Sequence, residues 1–198
     1  MHRPLTYCVA APLVALLFTA GAVHAQNPMQ GTGCYVQGNR SALPRRASPL
    51  DSASVSLSGG VVKLCYGRPQ ARGRQVMGEL VPFGQPWRLG ANEATTIYVP
   101  APARIAGVAV QPGWYSIYTV PGQTEWRIVV NRSAQRWGIP IDSTVQRADV
   151  GSGTARVQQT QSPVEQLTAR LDKTGANTAN LVFEWERTRV QIPVELRP

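Results

Sequence analysis

Apolar residues in this chain fall in short runs that alternate with polar ones and are cut by glycine and proline at regular intervals. Ala53, Val55 and Leu57 alternate with serines, Gly59-Gly60 marks a two-residue hairpin turn, and Val62, Leu64 and Tyr66 then alternate with Lys63 and Cys65. The same grammar recurs in TTIYV (95–99), RIAGVAV (104–110), WYSIYTV (114–120) and EWRIVVN (125–131), with Pro-Gly at 112–113 and 121–122 between them. It continues in ARVQQT (155–160), EQLTARLD (165–172), NLVFEWE (180–186) and RVQIPVEL (189–196). A period of two cannot present one apolar face on a helix, so these runs predict strands. Pro193 marks its run as an edge strand or a bulge. Only RQVMGELV (74–81) has helical composition, for barely two turns. About nine or ten short strands, spaced every 8–12 residues or so, predict an all-β fold: an antiparallel β-sandwich or partly open barrel with at most one short helix.

The N-terminal residues predict export. Arg3 opens the segment, Val9–Ala20 is an apolar stretch of signal-peptide length, and Val23-His24-Ala25 has the small-x-small form of a cleavage site. Residues 1–25 are therefore expected to be a signal peptide cut near Ala25, with an uncleaved membrane tether as the alternative. The apolar run is short for a bilayer span, and neither Cys8 nor Cys34 follows a lipobox-like run. Residues 26–50, rich in Gln, Gly, Asn, Pro and Arg without periodicity, read as a flexible tether, and residues 51–198 as a single β-sandwich domain. The expected location is periplasmic or secreted, with no transmembrane segment in the mature chain.

Both histidines, His2 and His24, lie in the segment expected to be removed. A chain without imidazole can build no Ser-His-Asp triad, no Cys-His dyad and no histidine-ligated metal site. Cys34 and Cys65 remain. In an oxidising compartment a disulfide is the default, and strand alternation turns Cys65 away from the face of Val62, Leu64 and Tyr66, where a loop carrying Cys34 can reach it. Two free thiols are the alternative. The formal charge is +9, and apart from Lys63 and Lys173 every basic residue is arginine. The arginines are scattered and accompany no nucleic-acid-binding motif, so a solvated basic surface is expected and nucleic acid is not.

Two loops concentrate polar chemistry. YGRPQARGR (66–74) and PWRLGANEAT (86–95) together supply Tyr66, Arg68, Arg72, Arg74, Trp87, Arg88, Asn92 and Glu93. Guanidinium forks suit carboxylates, sulfates and phosphates, so these residues are candidates for binding a polar or anionic small molecule or an envelope component. The same residues could equally be anchors: an Arg–Glu pair, an asparagine on the turn backbone and an arginine stacked on Trp87 would hold long loops without a ligand. If chemistry occurs, carboxylates must carry it. Glu93, with Arg68 and Arg88 as expected partners, is the candidate catalytic residue of a glycosidase-like hydrolase, with Glu79 or Asp149 as second carboxylate. Glu184 and Glu186 read as the solvent face of a strand. A Ser-Lys dyad and a calcium site through Asp142 and Asp149 are weaker readings; no cofactor or metal is expected.

YGRPQARGR, ELVPFG (79–84) and WRLGANEAT, followed by QPGWYSIYTVPG (111–122), WRIVVN (126–131), Trp137-Gly138 and EWERTRVQIPV, resemble the exported bacterial family of domain of unknown function 2911 over roughly residues 48–196. The resemblance implies an exported β-rich domain and supplies no catalytic residue. The cysteine pair lies outside the family pattern, so the disulfide is an inference from this chain alone.

Overall fold

A computed structural model describes residues 33–197, and the expected signal peptide lies outside the described residues. The chain runs as β1 (Leu50–Leu57), β2 (Gly60–Gly67), β3 (Thr96–Val99), β4 (Ala103–Ile105), β5 (Val108–Val110), β6 (Gly113–Pro121), β7 (Glu125–Asn131), a single helical turn α1 (Ser143–Gln146), β8 (Asp149–Lys173) and β9 (Thr178–Leu196). The strands are ordered β1-β2-β3-β6-β7-β8-β9-β4-β5, and every pairing is antiparallel. The fold is all-β and the sheet is open at β1 and β5.

Two expected strand pairs are each one long strand. Residues 149–156 of β8 pair with β7, and residues 157–173 pair with β9, so one strand serves both halves of a sandwich. Its register with β9 slips twice between Gln159 and Thr168, around the Ser162-Pro163 step that looked like a strand end. A bulge bends a strand without ending it. Pro193 falls where β9 leaves β8, last paired through Val190, and before it joins β4 at Val194, a place where a missing N–H costs no ladder bond.

Alternation delivers the core. Val62, Leu64 and Tyr66 point inward with Ile97, Ile117 and Ile128, and meet Leu181, Phe183, Trp185, Val190 and Ile192 from β9. Several of these are fully buried, each such aliphatic side chain contributing about 1.5–3 kcal/mol. The hairpin loop between β1 and β2 is Ser58-Gly59, because Leu57 pairs with Gly60.

RQVMGELV is not helical. Gly78 has φ 94°, Val76 and Val81 are buried, and the Val76 N–H donates to Glu186 Oε2 at 3.0 Å. A positive φ at its centre breaks the helix, and two buried valines spend their apolar surface on the sandwich core instead. The helical residues lie elsewhere, in a 3₁₀ segment at Arg40–Arg45 and in α1.

Of the expected tether, residues 33–50 are described, and they are fastened to the sandwich. Cys34 and Cys65 form a disulfide with Cα atoms 5.7 Å apart. On that outer face Cys65, Trp114 and Ala134 form a small apolar cluster with Cys34, Tyr35 and Tyr98 packed against it. The sequence therefore oriented Cys65 as expected. No helix among the described residues is long and apolar enough to cross a membrane.

Candidate functional site

Glu93 is 4% exposed and fully engaged. Arg46 grips it with both ends of its fork, Nη1 to Oε2 at 2.7 Å and Nη2 to Oε1 at 2.9 Å, and the backbone N–H of Gln37 donates to Oε1 at 3.0 Å. Burial alone would push its carboxyl up. The Arg46 fork, its own N–H and that of Gln37 outweigh the burial and hold it below the ordinary carboxylate range. An ionised, buried carboxylate with both oxygens committed is a poor general acid, since that role needs a raised pKa and an open approach. The expected partners, Arg68 and Arg88, are not among its contacts. The arginine that serves it comes from the N-terminal strap, which Cys34 ties to Cys65; Cys65 pairs with Thr96, three residues after Glu93.

The other candidates divide among separate neighbourhoods. Arg68 pairs with Asp51 at 3.0 Å and donates to the Leu167 carbonyl, while the Tyr66 hydroxyl meets Asp51 and the backbone of Ala169. Burial first, and then Asp51, raise the Tyr66 phenol above its ordinary value, against the opposing pull of the Ala169 hydrogen bond and Arg68. Arg74 donates to the carbonyls of Gln70 and Ala71, and Arg72 donates its N–H to Glu165 and its Nε to Gln70. The bonds to Gln70 and Ala71 close the loop on itself, and the bond to Glu165 ties it to β8. Trp87 carries no arginine; it stacks on Trp185 at 6.0 Å and meets Trp126 edge-on at 5.7 Å. Arg88 donates to the Gly90 carbonyl, and burial lowers its pKa.

The two loops are nevertheless coupled, through backbone. A Cβ on Gly67 would collide with the Ala91 carbonyl oxygen, and one on Gly90 would lie 2.9 Å from the Gly67 oxygen. Asn92, at φ 63°, donates to the Ser48 carbonyl at 2.8 Å and accepts from the Gly138 N–H at 2.8 Å. Thr95 closes the same turn on the Leu89 carbonyl.

Beside Glu93 lies an open groove of about 600 Å³. Trp137 forms part of it, bridged by backbone to Glu93 and held by the Arg46 guanidinium 5.8 Å from its ring centroid. Tyr35 and Gln37 line one side, and Ile139, Asp142 and Thr144 another. Arg136 shapes the floor by donating to the carbonyls of Ser133, Trp137 and Gly138. The groove wall is braced by Asp149, which accepts from the Tyr118 hydroxyl and the Asn131 amide at 2.7 Å each. Asp142 caps α1, accepting from the N–H groups of Thr144 and Val145. Both aspartates thus have framework roles, and no group of three His, Cys, Asp or Glu among the described residues is placed to hold a metal. Glu79 is exposed on its own loop, and Glu184 is tied to Arg170 and Arg189 rather than free in solvent.

Residues 48–194 match the family described as "Protein of unknown function (DUF2911)". The chain belongs to the DUF2911 family. No curated protein and no solved structure matches it. The match begins at residue 48, so three groups that lock Glu93 and Cys65 in place, Cys34, Gln37 and Arg46, precede the part of the chain that the DUF2911 match covers.

Sequence reasoning missed Arg46, Trp137, Tyr35 and Gln37 as neighbours of Glu93. One signal pointed there. A Cys34–Cys65 bridge must carry the strap across to the start of β3, and a buried glutamate must find a cation close by.

Proposed function

We propose that this DUF2911 protein is an exported binding module, in which the loops at 66–74 and 86–94 are scaffold and a polar ligand or envelope partner is met at the groove beside Glu93. The observation that carries this reading is Glu93, 4% exposed and gripped by the Arg46 fork. It supports an anchor in preference to a hydrolytic carboxylate. Arg68, Arg74 and Arg88 spend donors on Asp51 and on backbone carbonyls, which also supports scaffold over anion recognition. The disulfide fits an oxidising compartment.

A thermal-shift and ligand-titration screen of wild type, Arg68→Ala, Arg88→Ala and Glu93→Gln tests it against acidic sugars, phosphates and peptidoglycan fragments. Ligand response should survive both arginine changes, and Glu93→Gln should lower the melting temperature. Loss of an anion response in Arg68→Ala or Arg88→Ala would return the site to the arginine loops. Turnover of a glycoside by wild type, absent in Glu93→Gln, would establish the hydrolase. N-terminal sequencing of material from a fractionated host should find the chain outside the cytoplasm, beginning near Gln26.

A further inference from the structure

Among the described residues few large apolar side chains are exposed, and two of them, Trp137 at 37% and Ile139 at 54%, lie in the same groove. Trp137 is not loose. Its carbonyl accepts from Arg136, its backbone bridges to Glu93, and Arg46 sits over its ring. An aromatic ring held this firmly while more than a third of the residue meets solvent is pre-organised for a flat partner, because little side-chain entropy remains to be lost on contact.

Charge narrows the partner. The chain carries +9 overall, yet the charged residues lining the groove are one arginine and one aspartate, Arg136 and Asp142, and the adjoining Arg46 and Glu93 neutralise each other. Arg136 gives three of its N–H bonds to loop carbonyls, and its Nη2 is buried, so its cation is not presented to an incoming anion. Asp142 spends Oδ1 on two backbone N–H groups, leaving Oδ2 as the oxygen able to accept from a ligand. A carboxylate oxygen accepts only, so the ligand must bring donors. A proline-rich peptide would suit the aromatic surface but has few N–H groups to give. A sugar ring has an apolar C–H face for an indole and hydroxyls that both donate and accept.

We propose that the Trp137 groove binds a neutral saccharide, with one ring on the Trp137 indole and hydroxyls shared by Asp142, Gln37 and Thr144. This rests on the reading of the protein as a binding module. Titration of the full chain, ¹⁵N-labelled, with chitotetraose, cellotetraose, maltotetraose and mannotetraose follows the Trp137 indole N–H resonance, with octaproline as the comparison. At least one tetrasaccharide should shift that resonance saturably, with Kd in the range of about 10 μM to 1 mM that a single aromatic platform supports. Trp137→Ala should abolish the binding, detected by calorimetry. Asp142→Asn, which can still cap α1, should keep the melting temperature and weaken binding about tenfold, the equivalent of one hydrogen bond to a charged group. Saccharide binding that survives both substitutions overturns the assignment. A shift with octaproline and none with the sugars overturns the saccharide and leaves a binding groove. No shift with any of the five probes overturns both the saccharide and the groove as the module's site.

Discussion

Glu93 holds a full negative charge where almost none of its surface meets water, and it is stable there because Arg46 supplies two parallel hydrogen bonds and the strap backbone a third. Removing one member of such a pair strands the other, which typically costs about 3–5 kcal/mol. Glu93→Gln is therefore expected to lower the urea midpoint without changing the far-UV spectrum of the sheet. The pH dependence follows from the same geometry. The folded-state pKa of Glu93 is depressed, so its contribution to stability is complete above the unfolded-state value of roughly 4.3 and is lost as pH falls through the folded value. Urea midpoints measured from pH 7 down to acid should fall more steeply for wild type than for Glu93→Gln. Equal acid limbs would show that Arg46 does not stabilise the ionised form. The partners expected for Glu93, Arg68 and Arg88, are not the ones it has, because spatial partners were sought among sequence neighbours. Arg68 lies across the sandwich edge with Asp51, and Arg46 arrives from a segment with no periodic signal.

At the level of elements, the two sequence blocks that resemble the family are joined backbone to backbone. Gly67 ends β2 against the Ala91 carbonyl, leaving no space for a side chain, whereas Gly73, at φ 70°, has nothing within 4 Å of a Cβ. Gly67→Ala should force the loops apart and cost about 3 kcal/mol or more, while Gly73→Ala should cost only the left-handed penalty of about 1 kcal/mol. Chemical denaturation of the pair checks the ranking, and near-equal losses would show that the loops are not tightly docked. Strand existence was legible because alternation is imposed by the pleat itself. Strand length was not. Whether β8 stops at Ser162-Pro163 or bulges and goes on depends on the neighbour that β9 provides, and composition carries no trace of that neighbour. The short helix expected at 74–81 failed for a related reason. Val76 and Val81 gain more from the shared core than two exposed helical turns could return.

Across the whole molecule, the disulfide fastens a polar N-terminal stretch to the outer face of β2, where Cys34 and Tyr35 pack against Cys65, Trp114 and Ala134. It brings Tyr35 and Gln37 to the groove and leads on to Arg46 at Glu93. Its partners are 31 residues apart, and loss of a loop of that size corresponds to roughly 3–4 kcal/mol in the chain-entropy model. The double variant Cys34→Ser/Cys65→Ser should melt about 10 °C lower, a shift of the size expected for a domain of this length. Hydrogen exchange should quicken at Gln37, whose N–H the strap presents to Glu93, and not in the central β6 and β7. Unchanged protection at Gln37 would mean that the Arg46–Glu93 pair holds the strap alone.

The sequence by itself determined the all-β class, the inward face of β2 and the outward turn of Cys65, because each follows from the two-residue period of a strand and from local turn chemistry; it left the Cys34–Cys65 bridge and two free thiols both open, and the structure decided for the bridge. The family resemblance set YGRPQARGR and PWRLGANEAT side by side as one block. Tertiary structure alone decided what that block does: which arginine neutralises Glu93, that Trp87 joins the core instead of a ligand site, and that the part-exposed aromatic ring belongs to Trp137. Those outcomes depend on contacts between residues far apart in the chain, such as Arg46 with Glu93 and Trp87 with Trp185, where the deciding energies are desolvation and close packing. Neither leaves a periodic signature in the chain.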